Sequence, residues 1–163
     1  MTNNWSVTNF TKNFRTVMKV NIKRIDSDFL LEAVNDTNNT LLMDGTESIG
    51  GHHKGFRPFQ MLLAAVGGCS AIDVISILKK QRQEITSFEM EVDGDKQSVD
   101  SYSVYKRIEM HFKLEGKIDP EKALRAAKLS HDKYCSVSKA LEHDSEIVLK
   151  VSVNGVLVEE EKV

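Results

Sequence analysis

The sequence predicts an α+β fold, and three observations carry that expectation. Segments of alternating apolar and polar residues come first, one long apolar helical stretch follows, and further alternating segments then lead to a second helix and a last strand. With 163 residues, 40% hydrophobic and 28% charged, the chain can bury the core of a single soluble domain. Its net charge of −2 gives no electrostatic reason to expect nucleic acid or an anionic membrane as partner.

Residues 1–14 are polar and rich in Asn and Thr, with no apolar run of a secretory signal, so they read as a flexible N-terminal extension to a single domain at 15–163. Two cysteines without such a signal suggest a reducing compartment, and a cytoplasmic location is expected. From Thr16 to Met43 three strand-like segments follow one another: Val17 to Lys23, Phe29 to Val34 and Thr40 to Met43. Asp26-Ser27-Asp28 and the run from Asn35 to Asn39 supply the turns of an antiparallel meander.

After a glycine-rich loop, Asp44 to Phe56, the pair Arg57-Pro58 marks a helix start, because proline lacks the N–H that would be orphaned there. The helix is expected from Pro58 to about Gln83, ending on Lys79, Lys80 and Arg82, whose cations suit the helix C-terminus. Phe59 to Leu78 is about as long as a bilayer span, yet it holds Gln60, Asp73 and a glycine pair, so it reads as the buried centre of a soluble fold. Gly67-Gly68 implies either a break, which would set Cys69 at a helix N-terminus, or a close approach by a neighbour.

Ser87 to Val92 and Val104 to Leu114 form the next strands, joined across Gly94 to Ser101. Asp119 as N-cap and Pro120 at the first helical position open a helix to about His131. Tyr134 to Leu141 reads as a short helix containing Cys135, Ile147 to Val153 as a strand, and Glu159-Glu160-Glu161-Lys162 as a solvated tail.

The chemistry rests on Cys69 and Cys135, which are remote in sequence and the only sulfhydryls. Brought together by the fold they can cycle through a disulfide; kept apart they are small core residues. Asp73 stands at i+4 from Cys69 on the same helix face. Pointing inward as an anion it would raise the thiol pKa; the simpler reading is a hydrogen-bonding residue turned away. His131 and Cys135, also at i and i+4, and the pair His52-His53 raise the question of a metal, but the absence of any C-x-x-C pair leads us to expect no metal and no other cofactor.

The segments Gly50-Gly51, Arg57-Pro58, Leu62 to Val74 and Ile77 to Gln83, together with Ser130 and Lys133-Tyr134-Cys135-Ser136-Val137, resemble the OsmC/Ohr family in its YhfA-type branch. The resemblance implies antiparallel sheets around a long buried central helix, in an intertwined homodimer with active sites at the subunit interface. It further implies a thiol peroxidase of oxidative-stress defence that reduces organic hydroperoxides, with Cys69 peroxidatic, Cys135 resolving, and a dithiol reductant restoring the pair. The family's arginine is matched by Arg15, Arg24 or Arg57, with Arg57 favoured by position at the helix start. Where the well-studied branches carry a glutamate just after the helix-opening proline, this chain has Phe59-Gln60, so Gln60 is the expected polar contact there. That departure also admits a non-catalytic protein of the same fold, a binder of small apolar ligands or a redox sensor.

Overall fold

The computed structural model describes residues 17–163, so the N-terminal extension and Arg15 lie outside the described residues. Two compact units divide the chain, the first ending at Phe56 and the second spanning Arg57–Val163. The fold is α+β, with two sheets and a central helix.

In the first unit, β1 (Val20–Arg24), β2 (Leu31–Asn35) and β3 (Thr40–Met43) form the expected antiparallel meander. Asp26 Oδ1 accepts the N–H groups of Asp28 and Leu30, and Asn35 Oδ1 accepts those of Thr37 and Asn39, so both turns close through short polar side chains. In the following loop buried Asp44 accepts from the backbone of Gly45, His52 and Lys54. Those bonds hold its carboxyl below the usual range, led by the one from Lys54.

The second unit opens on α1 (Pro58–Lys80). Pro58 takes the first position and Gln60 Oε1 accepts the Arg57 N–H at 2.9 Å, which fixes the start where the sequence placed it. No break occurs at Gly67-Gly68. A Cβ on Gly67 would lie 2.8 Å from Val92 Cγ2, so this glycine serves close helix–sheet approach, whereas Gly68 faces open space. Cys69 therefore lies in mid-helix rather than at a helix N-terminus.

Next come β4 (Glu84–Val99) and β5 (Tyr102–Lys117), a hairpin much longer than its sequence suggested, turning at Asp100-Ser101 with Asp100 at φ 52°. Ile108, Met110, Phe112 and Leu114 of β5 all point into the core. A register shift between Asp95 and Lys96 moves the inward parity, so that Tyr105, not Val104 or Lys106, continues that row. The chain then crosses through α2 (Pro120–Leu129), capped by Asp119 as expected, to a single π turn at Ser130–Tyr134 and to α3 (Ser136–Leu141). Cys135 is thus not inside a helix; it is the N-cap residue of α3.

This crossover sets β6 (Glu146–Val153) parallel to β5, the one departure from antiparallel pairing among the described strands. The acidic segment is not a solvated tail but β7 (Val156–Lys162), antiparallel to β6. Cations on its neighbours hold it there: Lys150 of β6 faces Glu160 at 3.3 Å, and Lys128 of α2 pairs with Glu161. Val66, Val74 and Leu78 of α1 join the inward rows of β5 and β6 and Ala123, Ala126 and Ala127 of α2 in one core.

The helix is buried on one face only. It is long and apolar enough to cross a membrane by composition, but that test is also passed by core helices of soluble folds. Leu62 and Ile72 are 39% and 71% exposed, with Ala65 and Gly68 exposed between them. Spaced three or four residues apart, these positions make a continuous apolar stripe on α1.

Candidate functional site

The two cysteines meet. Cys69 Sγ, Cys135 Sγ and a carboxylate oxygen of Asp73 lie within 4.8 Å of one another. Helix α1 presents Cys69 and Asp73 one turn apart, and the crossover lowers Cys135 onto the same face. Cys69 is half-buried and Cys135 fully buried.

Cys135 is surrounded by donors. Ser70 Oγ donates to its sulfur at 3.3 Å and the Ser138 N–H at 3.4 Å, the second as the α3 cap. Burial pushes the Cys135 thiol up, but hydrogen bonds from Ser138, Ser70 and Cys69 together outweigh it, and the net shift is down. Burial also pushes the Cys69 thiol up. Its hydrogen bond to Cys135 and the nearby charges of Cys135 and Asp73 add to that rise, and the Val137 N–H opposes it. Of the two sulfurs, Cys135 is therefore the one whose charged form its surroundings favour, and Cys69 the one that holds its proton more tightly.

Asp73 does not turn away from the thiols, as the simpler reading of its position had it. Its Oδ2 accepts from Ser130 Oγ at 3.1 Å, and this remote serine fixes the carboxylate toward the sulfurs. Asp73 also borders a groove of about 310 Å³ that continues past Ile77, Lys80, Leu129 and Tyr134.

Arg57 and Gln60 stand at the other end of α1. Because the helix is unbroken, Arg57 lies roughly 18 Å from Cys69 along the axis at 1.5 Å per residue. Gln60 is engaged in the helix start. Neither joins the cluster within one chain. Arg24 is on β1 of the first unit, and His52 and His53, in the loop after β3 of that unit, pair with Asp28 and Glu47. Sequence reasoning missed Ser70 and Ser138, and it named Ser130 only within the resemblance, without a contact to Asp73. The hydroxyl of Ser70 beside Cys69 was the signal there, and a neighbour at i+1 on a helix has no local reason to reach a distant sulfur.

An α+β chain with two converging thiols, one on its central helix and one on a crossover, is a dithiol protein. The family model for OsmC-like proteins matches residues 51–150, and the chain belongs to that family. Protein YhfA of Escherichia coli strain K12 is 39% identical over 103 residues, which cover 63% of this chain and 73% of that protein. Among solved structures, a hypothetical protein from Aquifex aeolicus VF5 superposes with a TM-score of 0.71 at 26% identity, covering 86% of this chain and 99% of that one. An organic hydroperoxide resistance protein OsmC from Legionella pneumophila, at 14% identity, shares the fold with a TM-score of 0.66 over 85% of this chain and 98% of that chain.

Proposed function

We propose that the protein is a thiol peroxidase that reduces organic hydroperoxides through Cys69 and Cys135. The observation that carries this reading is the convergence of two sequence-remote sulfurs, one of them only half-buried. Cys69, the accessible sulfur, attacks first; Cys135, enclosed, resolves.

The hydrogen bond between the two sulfurs gives the Cys69 proton a route off the attacking sulfur. Moving it from Cys69 to Cys135 leaves the attacking sulfur as thiolate without changing the charge of the pair. The thiolate takes the distal peroxide oxygen, the O–O bond breaks, and the alkoxide collects a proton from solvent to leave as alcohol. Cys69 is then a sulfenic acid. Cys135 attacks that sulfur, and its proton leaves with the hydroxyl as water, which closes the disulfide. An external dithiol returns two electrons and two protons to the pair.

The reading includes a homodimer in the cytoplasm. The exposed apolar stripe on α1 is the surface a second copy would cover. An antiparallel crossing of two α1 helices near Leu63, midway between positions 57 and 69, would set the second copy's Arg57 opposite Cys69.

The test is one equivalent of cumene hydroperoxide added to the reduced protein, followed by a free-thiol count. A catalytic pair loses two thiols per equivalent in the wild type. Cys69→Ser retains its remaining thiol, and Cys135→Ser stops at a sulfenic acid that dimedone traps. Retention of both wild-type thiols over many minutes overturns the reading and leaves a non-catalytic member of the fold.

A further inference from the structure

The same three side chains have a second chemical capacity. Two sulfurs and a carboxylate oxygen within 4.8 Å of one another, on different segments but one face, are the donor set of a three-ligand metal site. In tetrahedral zinc coordination two thiolates at about 2.3 Å from the metal stand roughly 3.8 Å apart, inside the observed span. We propose that Cys69, Asp73 and Cys135 bind a thiophilic divalent cation of the zinc class, with the fourth position open to solvent.

Four features of the surroundings support this. Ser130, itself fully buried, holds Asp73 Oδ2 at 3.1 Å, as an outer-shell partner orients a ligating carboxylate. Ser70 Oγ and the Ser138 N–H stabilise the charged form of the Cys135 sulfur, which is the form that ligates. Half-buried Cys69 and the groove along Asp73 give an ion a route inward. Lastly, the Asp73 carboxylate and the Cys135 sulfur disfavour a second thiolate at Cys69, and a cation between the three donors would reverse that penalty. Thiolate predominance selects zinc-like metals over magnesium or calcium, which take oxygen shells. Binding displaces the thiol protons to solvent and involves no redox step. It excludes the disulfide, since the same sulfur electron pairs are in use. The proposal does not require peroxidase activity.

Reduced protein is titrated with Co²⁺ and followed by the sulfur-to-cobalt charge-transfer absorption, then back-titrated with Zn²⁺. One equivalent is expected to develop the band, and Zn²⁺ is expected to erase it. Alkylating both thiols beforehand should abolish it, which needs no variant to fold. Ser130→Ala is expected to weaken Zn²⁺ binding by roughly tenfold or more, as lost outer-shell contacts do, and Asp73→Asn by more than Ser130→Ala. A reduced wild type that shows no charge-transfer band overturns the proposal. So does a band that survives Cys69→Ser, or binding left unchanged by Asp73→Asn. Peroxide turnover is read separately, so failure here leaves the peroxidase reading standing, and the reverse.

Discussion

Gly67 offers a sharp test of how α1 sits on its sheet. Alanine in place of a mid-helix glycine gains about 1 kcal/mol of helix propensity. Here the new Cβ would lie 2.8 Å from Val92 Cγ2, with Met90 Cγ at 3.8 Å behind it. Val92 is fixed on β4 opposite Met110, so the side chain has little room to yield. Overpacking of this kind costs about 1–3 kcal/mol. The net for Gly67→Ala is a loss of about 0–2 kcal/mol, and at this chain length each kcal/mol moves Tm by about 2–4 °C. Val92→Ala removes the offending methyl. In that background Gly67→Ala should stabilise by about 1 kcal/mol, its propensity gain alone. The coupling between the two positions is then about 1–3 kcal/mol, well above the additivity error for distant sites. Urea denaturation of the wild type, the two single variants and the double variant measures it. Equal effects of Gly67→Ala in both backgrounds would refute the close-approach explanation and return the glycine pair to mere tolerance.

Three further outcomes are expected. Asp73→Asn removes a like charge beside Cys69, so its thiol pKa should fall, and the pH profile of iodoacetamide alkylation should shift to lower pH than in the wild type. His131 is buried and its Nδ1 has no hydrogen-bond partner among the described residues; burial lowers its pKa, aided by Lys139 and opposed by Asp132 and Glu142. The unfolded chain then takes up this proton first, near 6.5, so stability is full above that pH and declines as the pH falls toward the folded value; His131→Leu should flatten the profile in urea titrations between pH 5 and 7. Ile72→Asp places a charge on the exposed stripe of α1, and size-exclusion chromatography should show a dimer giving way to monomer with little loss of helical circular dichroism.

The sequence made some elements readable and hid others for identifiable reasons. Helix starts at Arg57-Pro58 and Asp119-Pro120 are local signals, and both hold to the residue, as does β3. The pairing of Cys69 with Cys135 was foreseen only as one of two outcomes, because periodicity carries no information on which remote segments meet. What escaped depended on distant partners. β7 reads as a tail until Lys150 and Lys128 are placed beside its glutamates. The inward turn of Asp73 depends on Ser130, and the hydroxyl at Ser70 matters only because Cys135 arrives above it. The π turn that ends at Cys135 has no sequence signature at the level of composition.

Because β5 and β6 run the same way, the chain must travel back along the sheet between Ile118 and Ser145 before β6 can begin. A hairpin at this place would have joined the strands directly and omitted the return path altogether. That path is the vehicle for the second sulfur, so strand polarity and the meeting of the two thiols are bound to one topological choice. Trimming the excursion to tighten the molecule would leave Cys69 on its helix without a companion, with β4 and β5 intact.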